Sequence, residues 1–153
     1  IQVYSKSSSM PDLNLSDYKK FELKANKNIK ANENKEDGWL NTKIEVKEGD
    51  TISIIATGKI KLASLDGKYY YPSGTSVGAT EKDYYDYGAV IYSIGTETVA
   101  DDTNYKVAGD KLIGAVAEAF GTLYLSIYET LYYKTNTGSY NVYVKVSPKK
   151  NTQ

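Results

Sequence analysis

The sequence of 153 residues contains no cysteine, no histidine and no arginine. Without cysteine and histidine there is no thiolate or histidine-based nucleophilic pair, and no zinc site of the usual nitrogen and sulfur type. Without arginine, no side chain can hold a carboxylate or phosphate through two parallel hydrogen bonds. The chain therefore lacks the side chains that most enzyme classes use, and we predict that it is not an enzyme.

Net charge and long hydrophobic runs are also lacking. The 19 basic residues, all lysine, balance 19 acidic residues, so net charge does not direct the chain to nucleic acid or to an anionic membrane. No apolar run has the length of a transmembrane segment. The chain begins at Ile1 rather than at a methionine, and we interpret it as exported, secreted or located at the cell surface after loss of an upstream segment.

Tyrosine is the residue present in excess, with 16 tyrosines against 2 phenylalanines and 1 tryptophan. Because a buried phenol needs a hydrogen-bond partner, we expect many of these rings to be half-exposed. Tyrosine also suits solvent-facing strand positions, which is the simpler explanation for most of them. Three clusters nevertheless predict a tyrosine-lined surface: Tyr69, Tyr70 and Tyr71; Tyr84, Tyr85 and Tyr87; Tyr132 and Tyr133.

The pattern along the chain predicts one domain with an N-terminal arm. Residues 1–37 are polar and predict an extended arm with one strand, in KFELKA at 20–25. Residues 38–148 form the predicted main domain, and residues 149–153 a polar tail. A content of 41% hydrophobic residues is sufficient for one core at this length.

Alternation with a period of two dominates the main domain. TKIEVK and TISIIATG, joined by KEGD, predict a hairpin, and GAVIYSIG at 88–95 predicts a strand covered on both faces. Residues 123–128 and 140–146 predict two strands of one sheet with one face in water. KLIGAVAEAF at 111–120 has some helical pattern, but Gly114 and its short length disfavour a helix. These patterns predict an all-β fold, a sandwich or jelly roll.

Five motifs, in this order, resemble the galactose-binding bacterial lectins of the PA-I type. They are GWLNTKIEVKEGDTISIIATGKI at 38–60, YPSGT at 71–75, GAVIYSIG at 88–95, GTLYLSIYE at 121–129 and TGSYNVYV at 137–144. The resemblance implies a jelly-roll β-sandwich, in the manner of a galactose-binding domain, that binds the sugar through a calcium ion at one end.

The resemblance also implies a set of metal ligands around the last loop. On this sequence they are the Leu62 carbonyl, Glu129, Tyr132, Thr135 and Asn136. Calcium takes six to eight oxygens, usually with more than one carboxylate, but this loop contains one carboxylate and also Lys134. The family's sugar-contacting histidine has no counterpart. The implied calcium site is therefore altered, and its loss is slightly favoured over its retention.

Two loops supply the sugar contacts that the resemblance implies. A tyrosine ring stacks on the C–H face of a sugar and its hydroxyl bonds a sugar hydroxyl, with little rotamer entropy to lose. The alternative is that these loops are rich in tyrosine because they pack on each other. The implied sugar-binding residues are Tyr71, Pro72, Ser73, Gly74, Glu129, Tyr132, Tyr133 and Thr135.

The sequence as a whole predicts non-catalytic binding of a galactose-like carbohydrate, by a chain that can also form oligomers. The alternative is a structural or assembly module of a larger bacterial complex or toxin, which kept the sandwich, lost the sugar site and contacts a protein partner. A glycosidase is the third alternative, with Asp101 and Asp102 or Glu81 and Asp83 as paired acids, but such pairs in polar loops are typical of solvated turns.

Overall fold

The computed structural model describes residues 15–31, 34, 38–63, 69–74, 87–95, 105–129 and 131–149. Within these ranges the chain forms one short 3-10 turn, Leu15–Asp17, and ten strands. None of the described helical segments is long and apolar enough to cross a membrane. The strands are β1 (Lys19–Lys24), β2 (Ile29–Lys30), β3 (Leu40–Val46), β4 (Thr51–Lys61), β5 (Tyr69–Tyr70), β6 (Val90–Gly95), β7 (Lys106–Val107), β8 (Lys111–Val116), β9 (Gly121–Tyr128) and β10 (Thr137–Ser147).

The ten strands form two sheets of five. The first sheet has the order β1-β10-β4-β5, and β8 pairs with the N-terminal half of β4. The second has the order β2-β9-β6-β7, and β3 pairs with β9 on the same edge as β2. All of these pairings are antiparallel except that of β2 with β9. The prediction of an all-β sandwich is confirmed.

The hydrophobic core lies between the two sheets, where the alternating strands place their apolar side chains. Burying such side chains away from water contributes on the order of 1.5–3 kcal/mol each, before the entropic cost of ordering the chain. The central strands β4, β9 and β10 contribute most of the core. Their buried members include Ile52, Ile54, Ile60, Leu123, Leu125, Ile127, Tyr140, Val142 and Val144.

The predicted hairpin of TKIEVK and TISIIATG is wrong. β3 pairs with β9 in the second sheet, whereas β4 pairs with β10 in the first. The KEGD turn therefore carries the chain from one sheet to the other. Asp50 fixes this crossing, because its carboxylate accepts hydrogen bonds from Lys47 N at 2.9 Å and from Lys149 N at 3.1 Å.

The two C-terminal strands lie in different sheets, which corrects the prediction of one sheet with a wet face. The outer face of β9 is also covered rather than wet, since Tyr124 and Ser126 are buried. Ser126 Oγ lies 2.6 Å from Gly38 O and 3.2 Å from Asn28 O, so chain from the N-terminal segment crosses this face. Alternation indicated the faces of these strands but not what covers them.

The N-terminal segment contributes a strand to each sheet. The predicted strand at 20–25 is confirmed as β1, which pairs with β10 through six residue pairs. β2 extends the second sheet, and Leu23, Ala25 and Ile29 are buried in the core. More of this segment is built into the sandwich than the sequence predicts. Two further predictions are confirmed: β6 is buried on both faces, and 111–116 forms a strand rather than a helix.

Candidate functional site

The two predicted sugar-binding loops lie at the same end of the sandwich. The loop between β9 and β10 starts beside the beginning of β6, where Gly88 N donates to Tyr128 O at 2.9 Å. The loop after β5 reaches the same strand, since Val90 N donates to Pro72 O at 3.1 Å. Pairing of Thr137 with Lys61 places the start of β10 against the end of β4. The fold therefore assembles the 71–74 and 129–136 segments at one end.

Asn136 connects this loop to two other parts of the chain. Its Oδ1 accepts from Ala63 N at 2.7 Å, and its Nδ2 donates to Ala25 O at 3.0 Å. The side chain is buried, with 3% of its surface exposed. Both ends of the amide are thus used to hold the loop to the end of β4 and to the turn after β1. In this position Asn136 acts as a structural brace.

Glu129 and Tyr132 are also engaged with the protein. Glu129 is 1% exposed, and its Oε1 accepts a hydrogen bond from Leu131 N at 3.3 Å. The hydroxyl of Tyr132 donates to Asn26 O, which ties the middle of the loop to the turn after β1. Both hydrogen bonds stabilise the conformation of the loop, that of Glu129 from a buried position.

The donors described at this end do not fit a calcium ion. Calcium takes six to eight oxygens at 2.3–2.6 Å and favours several carboxylates. Here Glu129 is the one carboxylate among the implied ligands, and the Asn136 oxygen already accepts a backbone hydrogen bond. Leu62 can offer its carbonyl and Thr135 is exposed, but among the described residues no group of three or more acidic, histidine or cysteine side chains could hold a metal.

The residues that solvent reaches at this end are mainly tyrosines and small hydroxyls. Tyr133 is 43% exposed, and Ser73 and Thr135 are also exposed. Tyr71 and Tyr132 are half-buried, while Pro72 and Gly74 are buried within the turn that Gly74 N closes on Tyr71 O at 2.9 Å. We call the exposed and half-buried set the loop-end surface: Tyr71, Ser73, Tyr132, Tyr133 and Thr135. It offers rings and hydroxyls, and the exposed side chains of Leu131 and Lys134 lie beside it in the same loop.

Tyr140 holds the base of the loop-end surface in place. Its hydroxyl donates to Gly88 O at 2.9 Å from a fully buried position on β10. Burial raises the pKa of this phenol far above its ordinary value, and the neighbouring Tyr71 hydroxyl adds to the effect. Tyr140 therefore stays neutral and keeps donating this hydrogen bond across the whole physiological range.

The structure brings together a second aromatic group, of which the tyrosine clusters in the sequence indicated only Tyr87. The ring centroids of Tyr87 and Tyr105 lie 5.5 Å and 5.8 Å from that of Tyr128. Lys30 Nζ lies 5.4 Å from the Tyr105 centroid and 5.9 Å from that of Tyr128. These residues come from four segments far apart in sequence, so a local motif could not reveal them. We call them the tyrosine–lysine cluster.

Several residues named from the sequence lie outside the described ranges. They are Tyr84, Tyr85, the acidic residues Glu81, Asp83, Asp101 and Asp102, and Thr75 of the YPSGT motif. Their contributions to a site therefore stay predictions. Tyr69, from the first tyrosine cluster, is exposed on the outer face of the first sheet, with Lys59 Nζ and Lys61 Nζ 4.1 Å and 4.8 Å from its ring centroid.

Two five-stranded sheets with a cluster of loops at one end define a β-sandwich of the kind found in lectin domains. Among solved structures, the chain is similar to the EclA N-terminal domain, a PllA-like lectin, with a TM-score of 0.62. The two share 20% sequence identity, and the match covers 86% of this chain and 98% of that domain.

The other comparisons give no relatives. No protein-family model matches the sequence, and no curated protein matches it either. At 20% identity, the likeness to the PllA-like lectin shows a shared fold. The resemblance that the five sequence motifs carry is thus confirmed at the level of the fold, and sugar binding by this chain has to be argued from its own residues.

Proposed function

We propose that this chain is a non-catalytic carbohydrate-binding domain that binds a galactose-like sugar at the loop-end surface. The observation that carries the proposal is the position of this surface. The fold shared with a PllA-like lectin domain extends over nearly all of that domain, and the loops that meet at one end of the sandwich here expose tyrosine rings and hydroxyls together.

The chemistry of the loop-end surface suits a neutral sugar. The exposed ring of Tyr133 can stack on the apolar C–H face, while the hydroxyls of Ser73 and Thr135 can bond equatorial hydroxyl groups. The hydrogen bonds of Asn136 and Tyr132 preorganise the loop, which reduces the entropic cost of binding. No step is assigned to calcium, because Glu129 is the one carboxylate among the implied ligands and calcium favours several.

The experiment that tests the proposal is titration with methyl β-galactoside, followed by calorimetry, first with calcium and then with EDTA. We expect binding in both solutions. Tyr133→Ala should weaken it at least tenfold, because the exposed stacking ring is lost. Tyr69→Ala is the matched control, since Tyr69 is 42% exposed against 43% for Tyr133 but lies over Lys59 and Lys61. Equal affinity of Tyr133→Ala and wild type, or no binding of any neutral sugar, contradicts the proposal.

The assembly role is a second candidate, and one observation favours it. Ile113 and Val116 on the edge strand β8, and Phe120 in the turn before β9, are all exposed large apolar side chains. Exposed apolar residues on an edge strand are typical of a contact with another chain. Light scattering across a concentration series tests this role. If Val116→Lys no longer forms the oligomer but still binds sugar as wild type does, then the β8 edge mediates assembly and the loop-end surface binds the sugar.

A further inference from the structure

We propose that the tyrosine–lysine cluster is a second sugar subsite, specific for a saccharide that carries a carboxylate or sulfate group. The cluster consists of Lys30, Tyr87, Tyr105 and Tyr128 on the outer face of the second sheet. The inference rests on the proposed function in one respect, that the domain binds carbohydrate. It adds the charge class of the ligand and a second place of contact.

The register of the second sheet places the cation beside the central ring. β2 pairs with β9 in parallel, with Ile29 opposite Ile127 and Lys30 opposite Tyr128. Because Ile29 and Ile127 both point into the core, the residues that follow them both point outward. Lys30 and Tyr128 therefore lie side by side on the outer face, half-buried rather than freely extended.

The three rings form a continuous aromatic surface around this cation. Tyr128 is flanked by Tyr87 and Tyr105, with tilts of 48° and 38° between ring planes. All three are half-buried, so part of each ring faces solvent. Rings held in such a group lose little conformational freedom when a sugar packs on them. This is the kind of surface on which the C–H face of a sugar ring stacks.

The ammonium of Lys30 is positioned by contacts with aromatic rings. It makes cation–π contacts with Tyr105 and Tyr128, and within the described part of the chain no carboxylate forms an ion pair with it. An ammonium has three donor hydrogens, and the π faces of the rings do not replace an anionic acceptor. Within the ranges that the structure describes, this ammonium therefore has aromatic contacts and no anionic partner, and it can bind an anion at the edge of the aromatic surface.

The position of the cluster makes it an extension of the loop-end surface. Tyr128 directly precedes Glu129 in the loop between β9 and β10, and Tyr87 directly precedes Gly88. Gly88 N donates to Tyr128 O, and Gly88 O accepts from the Tyr140 hydroxyl. In this proposal an acidic oligosaccharide places a neutral sugar on the loop-end surface and its charged neighbour on the cluster.

The test compares three probes by calorimetry: methyl β-galactoside, galacturonic acid and galactose 6-sulfate, at low and at physiological ionic strength. We expect wild type to bind at least one acidic sugar about tenfold more tightly than the neutral one, and the difference to shrink as salt screens the charge. Comparison of galacturonic acid with galactose 6-sulfate shows whether the subsite prefers a carboxylate or a sulfate group.

Three variants assign the effect to the cluster. Lys30→Met keeps the apolar stem and removes the charge, so it should abolish the preference for the acidic sugar without changing the affinity for the neutral one. Lys30→Arg restores the charge and should restore the preference. Lys19→Met is the matched control, because Lys19 Nζ lies 5.6 Å from the Phe21 ring on β1 of the other sheet. It should change neither affinity, and the unfolding midpoint of each variant verifies that it folds.

The outcomes separate this inference from the proposed function. Neutral binding lost in Tyr133→Ala, with no preference for the acidic sugars in wild type, overturns the subsite and leaves the proposed function intact. A preference that survives Lys30→Met also overturns the subsite. Displacement of the acidic sugar by inorganic sulfate at equal concentration would mean a simple anion site, and would overturn it too. Acidic sugar binding that requires Lys30, without neutral binding, supports the subsite and removes the loop-end proposal.

Discussion

Replacing Asn136 with alanine removes the two hydrogen bonds that hold the loop between β9 and β10 to the rest of the sandwich. Ala25 O is buried and loses its donor, whereas Ala63 is exposed and its N–H can turn to water. Two lost hydrogen bonds at about 1 kcal/mol each, plus about 1 kcal/mol for the unsatisfied carbonyl, lower the free energy of unfolding by about 3 kcal/mol. At this chain length, such a loss lowers the midpoint by about 6–12 °C.

The assay is thermal unfolding followed by circular dichroism, with calcium and with EDTA. Asn136→Asp is the informative second variant, because it keeps an acceptor for Ala63 N but places another acceptor against Ala25 O. If Asn136 is a brace, each variant loses as much stability in calcium as it loses in EDTA. Thr135→Ala, one residue away and exposed, is the control and should change the free energy of unfolding by less than about 0.5 kcal/mol.

Either of two results would show that Asn136 is not a structural brace. Unchanged stability of Asn136→Ala in EDTA would mean that the two hydrogen bonds do not hold the loop. Stabilisation of Asn136→Asp by calcium beyond that of wild type would mean that this position is a metal ligand, since an added carboxylate strengthens calcium binding.

The remaining predictions concern Tyr140, Gly121 and Ser126. Burial raises the pKa of Tyr140, so above pH 10 the folded state keeps a proton that the unfolded state releases, and stability falls as pH rises. In urea titrations from pH 9 to 11, the free energy of unfolding of Tyr140→Phe should fall less steeply with pH than that of wild type. An equal slope would contradict this assignment. Gly121 has a φ of 151°, and a Cβ there would collide with Gly95 O. Gly121→Ala should therefore lower the free energy of unfolding by about 4 kcal/mol or more. A native-like midpoint would refute that steric argument. Ser126→Ala removes the hydroxyl beside Gly38 O and should lower the free energy of unfolding by about 1–2 kcal/mol in the same urea assay. An unchanged free energy of unfolding would mean that the N-terminal segment does not pack there.

Much of the fold was predictable because burial leaves a local trace in sequence. The alternation in 140–146 predicted the buried face of β10, and the apolar run at 88–95 predicted a strand covered on both faces. The order of five motifs also predicted the sandwich that the likeness to the PllA-like lectin supports. The predicted 71–74 and 129–136 loops do meet at one end of the fold.

The pairing of strands and the roles of single polar residues were not predictable in the same way. A period of two shows which side chains face the core, but either sheet of a sandwich offers such a face, so the predicted pairing of β3 with β4 is wrong. Asn136 has the residue type of a metal ligand, and its bonds to Ala63 N and Ala25 O become visible only when three distant segments are placed together.

The sequence by itself determined an all-β chain with a core, without histidine, cysteine or arginine chemistry and with a large supply of tyrosine. These properties depend on composition and on local periodicity, which the order of residues carries directly. The tertiary structure alone decided which tyrosines reach solvent, which polar groups are committed to the backbone, and that Lys30 lies against Tyr105 and Tyr128. The contacts of Asn136 join residues 73 and 111 positions apart, and Lys30 meets its two rings across the second sheet. Such contacts exist only once the two sheets have closed on a common core.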